Sequence, residues 1–72
     1  MRQYIFTIHA KERMAFRGIT EAMVVETVEN PDRAGTGYRR RLLAFRRYAA
    51  GVLKVVYSEE GPRTVIISTI CE

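Results

Sequence analysis

One cysteine, Cys71, and one histidine, His9, stand in a chain of 72 residues. A lone thiol leaves no internal disulfide framework, and one thiol with one imidazole cannot complete the usual four-ligand zinc site. Such sparing use of cysteine suits a reducing compartment, and a cytoplasmic location is expected. No succession of charged, apolar and small residues marks a secretory signal, and no apolar run nears the roughly 20 residues of a membrane span. The expectation is a soluble protein with no membrane partner. Glycine-rich phosphate loops of the Walker or Rossmann kind are absent, as are internal repeats and low-complexity tracts, and no cofactor is expected. At this length one domain over residues 1–72 is expected. It buries only about 60% of the surface exposed on unfolding, so any site is a shallow groove.

Acidic residues are missing from one whole interval. Twelve basic residues face eight acidic ones, a formal net charge of +4, yet no carboxylate side chain occurs between Asp32 and Glu59. That interval carries Arg33, Arg39, Arg40, Arg41, Arg46, Arg47 and Lys54, interleaved with Tyr38, Phe45 and Tyr48. Guanidinium forks grip phosphate at two points and stack on bases, so the block points to a nucleic-acid partner, RNA first. The candidate contacts are Arg39, Arg40, Arg41, Arg46, Arg47, Lys54 and Tyr57. The plainer reading is a solvated strand face rich in arginine.

The remaining signals are those of local structure. Gln3 to Ile8 mixes aromatic and β-branched residues and reads as a strand, with Tyr4, Phe6 and Ile8 on one side and Ile5 and Thr7 on the other. Thr7 is the expected N-cap of a helix beginning near His9. Ala10 and Met14 supply its buried stripe, Phe16 is read as core, and Gly18 is the left-handed residue that stops it after Phe16 or Arg17. Thr20 caps a second helix whose first turn holds Glu21, and Ile19 with Val24 has the spacing of a hydrophobic staple. Val24, Val25 and Val28 form its core stripe, and Asn30-Pro31 ends it.

Asp32 to Gly37 is read as loop, after which the period changes to two. Tyr38 to Tyr48, Val52 to Tyr57 and Arg63 to Ile70 read as strands joined by turns at Ala49-Ala50-Gly51 and Glu59-Glu60-Gly61-Pro62. In the first of these, either Leu43 and Phe45 or Leu42 and Ala44 point inward. The last is apolar on both sides, as a central strand is. The expected fold is α+β in the order β-α-α-β-β-β, two N-terminal helices packed on one antiparallel sheet.

His9, Arg13 and Arg17 recur at a spacing of four. Each such step advances about 40° around a helix, so the three lie on one face, where a row of this kind can hold phosphate. Cleaving RNA without a metal needs a base for the 2′-hydroxyl, an acid for the leaving oxygen, and positive charge for the phosphorane-like transition state. His9 is the one side chain that normally titrates near neutrality. Arg13 and Arg17 can clamp the phosphate, and Arg46 or Tyr57 can add a contact. Thr69, or Ser68 beside it, can bind a phosphate oxygen or orient His9. Plainer roles stand against these: His9 as a boundary residue, and Arg13 and Arg17 paired with Glu12, Glu21 or Glu26 or donating to carbonyls at the helix end.

The run His9-Ala10, Arg13-Met14, Arg17-Gly18-Ile19, followed by Asn30-Pro31, resembles the signature H-A-x-x-R-M-x-x-R-G-I of a bacterial family of small domains of unknown function. Its members end in a strand resembling Val65 to Thr69. Leu53-Lys54-Val55-Val56-Tyr57 and Val65-Ile66-Ile67-Ser68 are similar to the second half of BrnT-like toxins. Both groups are related by fold to the RelE/ParE superfamily, mostly ribosome-dependent or free ribonucleases, or gyrase poisons, held inactive by an antitoxin. The resemblance covers nearly the whole chain. It implies a RelE/BrnT-like domain; joined to the chemistry of the residues above, the expected function is a toxin-like, metal-independent ribonuclease, with His9 as acid/base and Arg13, Arg17 and Thr69 completing the catalytic set. The partners implied are RNA, an antitoxin protein and a second copy of the chain in a homodimer, with no metal or cofactor. The alternative on the same fold is a non-catalytic nucleic-acid-binding or protein-interaction module. One departure is visible: the family often has an aromatic residue after the last threonine, where this chain has Ile70 and Cys71.

Overall fold

A computed structural model describes residues 2–72. The elements are β1 (Gln3–Phe6), α1 (Ile8–Arg17), α2 (Glu21–Glu29), β2 (Arg33–Thr36), a 3-10 turn (Tyr38–Arg40), β3 (Leu42–Tyr48), β4 (Gly51–Glu60) and β5 (Arg63–Cys71). The strands form one five-stranded sheet in the order β1-β5-β4-β3-β2. Against it α1 packs on β5, and α2 on β4 and β3. The α+β class with two helices on one sheet is therefore the observed one. No helix among the described residues is long and apolar enough to cross a membrane.

The sheet departs from the expected one in three places. It is mixed, because β1 runs parallel to β5 from the Gln3 and Arg63 pair to the Phe6 and Ile66 pair. Residues read as loop form β2, which pairs with β3 from Arg33 opposite Phe45 to Thr36 opposite Leu42. Its four residues are all exposed, so no apolar alternation announces it; backbone pairing alone makes it a strand. Asp32 anchors its start, donating its amide to Phe45 O at 2.8 Å and accepting the Arg47 amide on Oδ2 at 2.8 Å. The strand read from Tyr38 begins only at Leu42. Arg39 and Arg40 take positive φ values of 60° and 64°, and Gly37 N donates to Arg41 O at 2.7 Å, which closes a tight hairpin between β2 and β3.

The helix ends follow the local signals. Thr7 accepts the Ala10 amide, and Gly18 at φ 70° donates its backbone N–H to Met14 O. The first strand stops at Phe6 because Thr7 is already the cap, so Ile8 opens α1 and is exposed. Thr20 accepts the Met23 amide at the start of α2. Ala10, Met14, Ile19, Val24, Val28, Leu53, Val55 and Ile66 form the core between helices and sheet. Val25 is only half-buried, and Thr27 is the buried neighbour instead. Phe16, read as core, is 82% exposed.

Ala44 is fully buried and Tyr48 packs against the core, so the even-numbered residues of β3 face the helices and Leu43 and Phe45 face away. In β5 a bulge falls between the Val56 and Ser68 pair and the Tyr57 and Ile66 pair, leaving Ile67 as the extra residue.

Tyr48 joins β3 to α2. Its hydroxyl lies 2.9 Å from Glu26 Oε1 and 3.1 Å from both Thr27 Oγ1 and Met23 O. The Thr27 hydroxyl also lies 2.7 Å from Met23 O, and of the oxygens around the phenol the Glu26 carboxylate is the strongest acceptor of its single proton. Burial pushes the Tyr48 pKa up, and the Glu26 carboxylate adds to the rise while the Thr27 hydrogen bond opposes it. A pKa raised by folding contributes stability that is complete below the unfolded value, about 10, and is lost as pH climbs through the folded value. Denaturant titrations above about pH 10 will therefore show a shallower fall of stability with pH in Tyr48→Phe than in the native chain. Equal slopes would mean that this phenol does not titrate with unfolding. Tyr4 and Tyr57, also raised chiefly by burial, keep part of the slope in both.

Candidate functional site

The site begins where β1 runs out. Its pairing with β5 stops at Phe6 and Ile66, so the second half of β5 has no strand on that side. Glu72 exchanges both backbone hydrogen bonds with Val52 of β4, each at 2.8 Å. By the alternation of an antiparallel ladder, the backbone groups of Thr69 and Cys71 then point to the unpaired edge. Next to that edge lies a groove of about 310 Å³, lined by His9, Glu12, Arg13, Phe16, Arg17, Thr69, Ile70 and Cys71.

Thr7 determines which face of α1 looks into it. The Thr7 hydroxyl accepts the Ala10 amide at 3.2 Å and itself lies 3.0 Å from Ile66 O and 3.2 Å from Ile67 O, the two carbonyls at the bulge. With the first turn pinned there, Glu12, Phe16, His9, Arg13 and Arg17 follow one another around about 140° of the helix, at about 100° per residue. Ala10 and Met14 continue the circle into the core. The His9, Arg13 and Arg17 row predicted from spacing is thus a wall of the groove, and Thr69 stands across from it.

Both arginines are exposed, and their charge is not cancelled by an ion pair. Among the described residues the ion pairs join Arg2 to Glu59 and Arg46 to Glu26 and Asp32, and none involves Arg13 or Arg17. Of the expected partners Glu12, Glu21 and Glu26, Glu12 lies in the same groove without forming such a pair, and Glu26 pairs with Arg46. Arg17 sits over the Phe16 ring, 5.4 Å from its centroid.

The hydroxyl nearest His9 is that of Ser68, 3.5 Å from Nε2. At that length the contact is at the outer limit of a hydrogen bond, and it leaves Nδ1 for other partners. Thr69 behaves differently. It is 1% exposed, and its Oγ1 is buried with no hydrogen-bond partner. Presenting that oxygen to a ligand requires rotation of the side chain.

The residues assigned to nucleic-acid binding do not form one patch. Arg39 and Arg40 lie in the 3-10 turn and Arg41 just after it, all exposed and two strands away from β5. Lys54 and Arg33 lie over Phe45 on the face away from the helices, 5.9 and 4.4 Å from the ring centroid. Arg47, on that same face, is exposed. Arg46 is committed to structure: Nη1 donates to Asn30 O at 2.7 Å, and the group pairs with Glu26 at 3.5 Å and Asp32 at 3.8 Å. Tyr57 packs against the core. Neither Arg46 nor Tyr57 lines the groove.

Glu12, Phe16, Ile70 and Cys71 line the groove without having been predicted for it. For Glu12 and Phe16 the signal was available, since on a helical wheel they flank His9. Ile70 and Cys71 depend on which edge of β5 stays open, a matter of strand order. Among the described residues no three His, Cys, Asp or Glu side chains cluster as a metal would require.

Residues 6–72 match the model of a family described as a domain of unknown function, DUF4258, and the chain belongs to that family. No curated protein and no solved structure matches the chain.

The unpartnered Thr69 oxygen makes its own prediction. A buried hydroxyl without a partner costs about 1–3 kcal/mol, so Thr69→Val, which keeps the shape, is expected to leave stability unchanged or raise it within that range. Chemical denaturation measures this. A loss of more than about 1 kcal/mol would show that the hydroxyl is hydrogen-bonded in solution.

Proposed function

We propose that the groove between α1 and β5 is the active site of a metal-independent, toxin-like ribonuclease that works in the cytoplasm as half of a toxin–antitoxin pair. The observation that carries this reading is the convergence of His9, Arg13, Arg17 and Thr69, chosen from sequence and spanning 60 positions, on one open groove with both guanidinium groups free of ion pairs. The similarity of Leu53 to Tyr57 and Val65 to Ser68 to the second half of BrnT-like toxins, and the kinship by fold with RelE/ParE toxins that it implies, supports it.

The chemistry is an internal transesterification. Arg13 and Arg17 hold the non-bridging oxygens of one phosphate and offset the charge that builds there. His9, steadied by Ser68, removes the proton of the 2′-hydroxyl; that oxygen forms a bond to phosphorus as the bond to the 5′-oxygen breaks. Water in the open groove protonates the departing oxygen, leaving a 2′,3′-cyclic phosphate and a 5′-hydroxyl. An antitoxin would silence the site, and the unpaired edge of β5 beside it is a place where an added strand can bind.

Purified protein is expected to cleave RNA in EDTA, and His9→Ala to lower the rate by about 10²- to 10⁴-fold with an unchanged circular dichroism spectrum. Undiminished cleavage by that variant would remove His9 from the mechanism.

The Phe45 cluster favours a second reading, a module that binds nucleic acid without cutting it. Here the aromatic ring and the Arg33, Arg47 and Lys54 cations on the helix-free face are the contact surface. Under that reading no cleavage occurs, and Arg47→Ala and Lys54→Ala each weaken RNA binding and make it less steeply dependent on salt. Binding indifferent to both substitutions would dismiss it.

A further inference from the structure

We infer that Phe16 is the platform on which one base of the bound strand stacks, so that the groove takes single-stranded RNA. This rests on the assignment of the groove to RNA chemistry and adds to it the conformation of the substrate. Phe16 is 82% exposed, although burying a phenylalanine side chain is worth about 1.5–3 kcal/mol. An aromatic ring left in water on a groove wall has no folding role that accounts for it. The other exposed large apolar side chains among the described residues, Ile5, Ile8 and Tyr38, do not line the groove. Phe45 stands on the face of the sheet away from the helices and is not part of the groove.

The position of Phe16 fits the task. It lies three residues beyond Arg13 and seven beyond His9, about 4.5 and 10.5 Å along the helix axis at 1.5 Å per residue. A phosphate held between Arg13 and Arg17 therefore lies beside the Phe16 ring, with His9 further along the axis toward one neighbouring nucleotide. Arg17, 5.4 Å from the ring centroid, ties the platform to the cationic row. In a duplex the base faces are stacked on one another, whereas an unpaired base can be laid against an aromatic ring. The groove, about 310 Å³, lies at the lower end of the range for small-ligand pockets, about 300–1,000 Å³. That is room for part of one strand.

The test uses the full chain and short single-stranded RNA methylated at every 2′-oxygen, which cannot be cleaved, with binding followed by fluorescence anisotropy. Phe16→Ala is expected to weaken binding by about 5- to 150-fold, the range for losing one base stack, while Phe16→Trp retains affinity and loses indole emission on binding. An oligonucleotide with an abasic position at the stacked site is expected to bind the native chain as weakly as the intact strand binds Phe16→Ala. It should bind Phe16→Ala no more weakly still. Equal binding by Phe16→Ala and the native chain, in a protein that cleaves RNA, overturns the stacking role and leaves the ribonuclease reading standing. So does equal affinity of the native chain for duplex and single strand. A native chain that neither binds nor cleaves RNA overturns both.

Discussion

Thr7 is the joint on which the rest of the molecule turns. One side-chain oxygen serves the first turn of α1 by accepting from Ala10, while its proton is directed to the carbonyls of Ile66 and Ile67. Its amide also donates to Ile66 O at 3.2 Å. A residue used as a cap cannot continue a strand, so β1 ends and the upper edge of β5 is left without a partner. Because the helix starts at a determined place against β5, its rotation is determined too. Ala10 and Met14 go inward, and His9, Arg13, Phe16 and Arg17 are left over the open edge. The groove and the composition of its wall are consequences of the same hydrogen bonds.

The arginines of this chain divide by the partners the fold gives them. Arg46 lies on the helix-facing side of β3, where it meets the carbonyl of Asn30, the cap of α2, and the carboxylates of Glu26 and Asp32. It works as a clasp between α2 and the hairpin of β2 and β3, alongside the Tyr48 hydroxyl bound to Glu26. One residue further along, Arg47 points to the opposite side of the sheet and is exposed. Adjacent cations of identical chemistry thus have unrelated roles. Among the described residues no carboxylate forms an ion pair with Arg13 or Arg17, which leaves their charge available to an anion from solution.

Much of this was legible because it is local. Helix caps at Thr7, Thr20 and Gly18 depend on a few consecutive residues, and the Ile19 and Val24 staple lies within six positions. The grouping of His9, Arg13 and Arg17 follows from the pitch of a helix alone. Phe16 was misread because hydrophobicity was taken as burial, although its angular position on α1 already set it beside His9 and apart from Met14. The strand from Tyr38 was misread because a run of basic residues has no alternation to contradict, and the positive φ of Arg39 and Arg40 carries no glycine signal.

The sequence by itself determined the two helices with their caps, four of the five strands, the α+β class and the row of His9, Arg13 and Arg17. These rest on periodicity and on contacts between near neighbours. Tertiary structure alone decided that β1 lies parallel beside β5, that the exposed Arg33–Thr36 segment is a strand, and that Leu42 and Ala44 face the helices rather than Leu43 and Phe45. It also decided that Ser68, and not Thr69, stands at His9. The physical reason is common to all four: each depends on pairing or packing between distant parts of the chain. The bulge at Ile67 shifts the register by one residue, and a shift of one exchanges the faces of a strand.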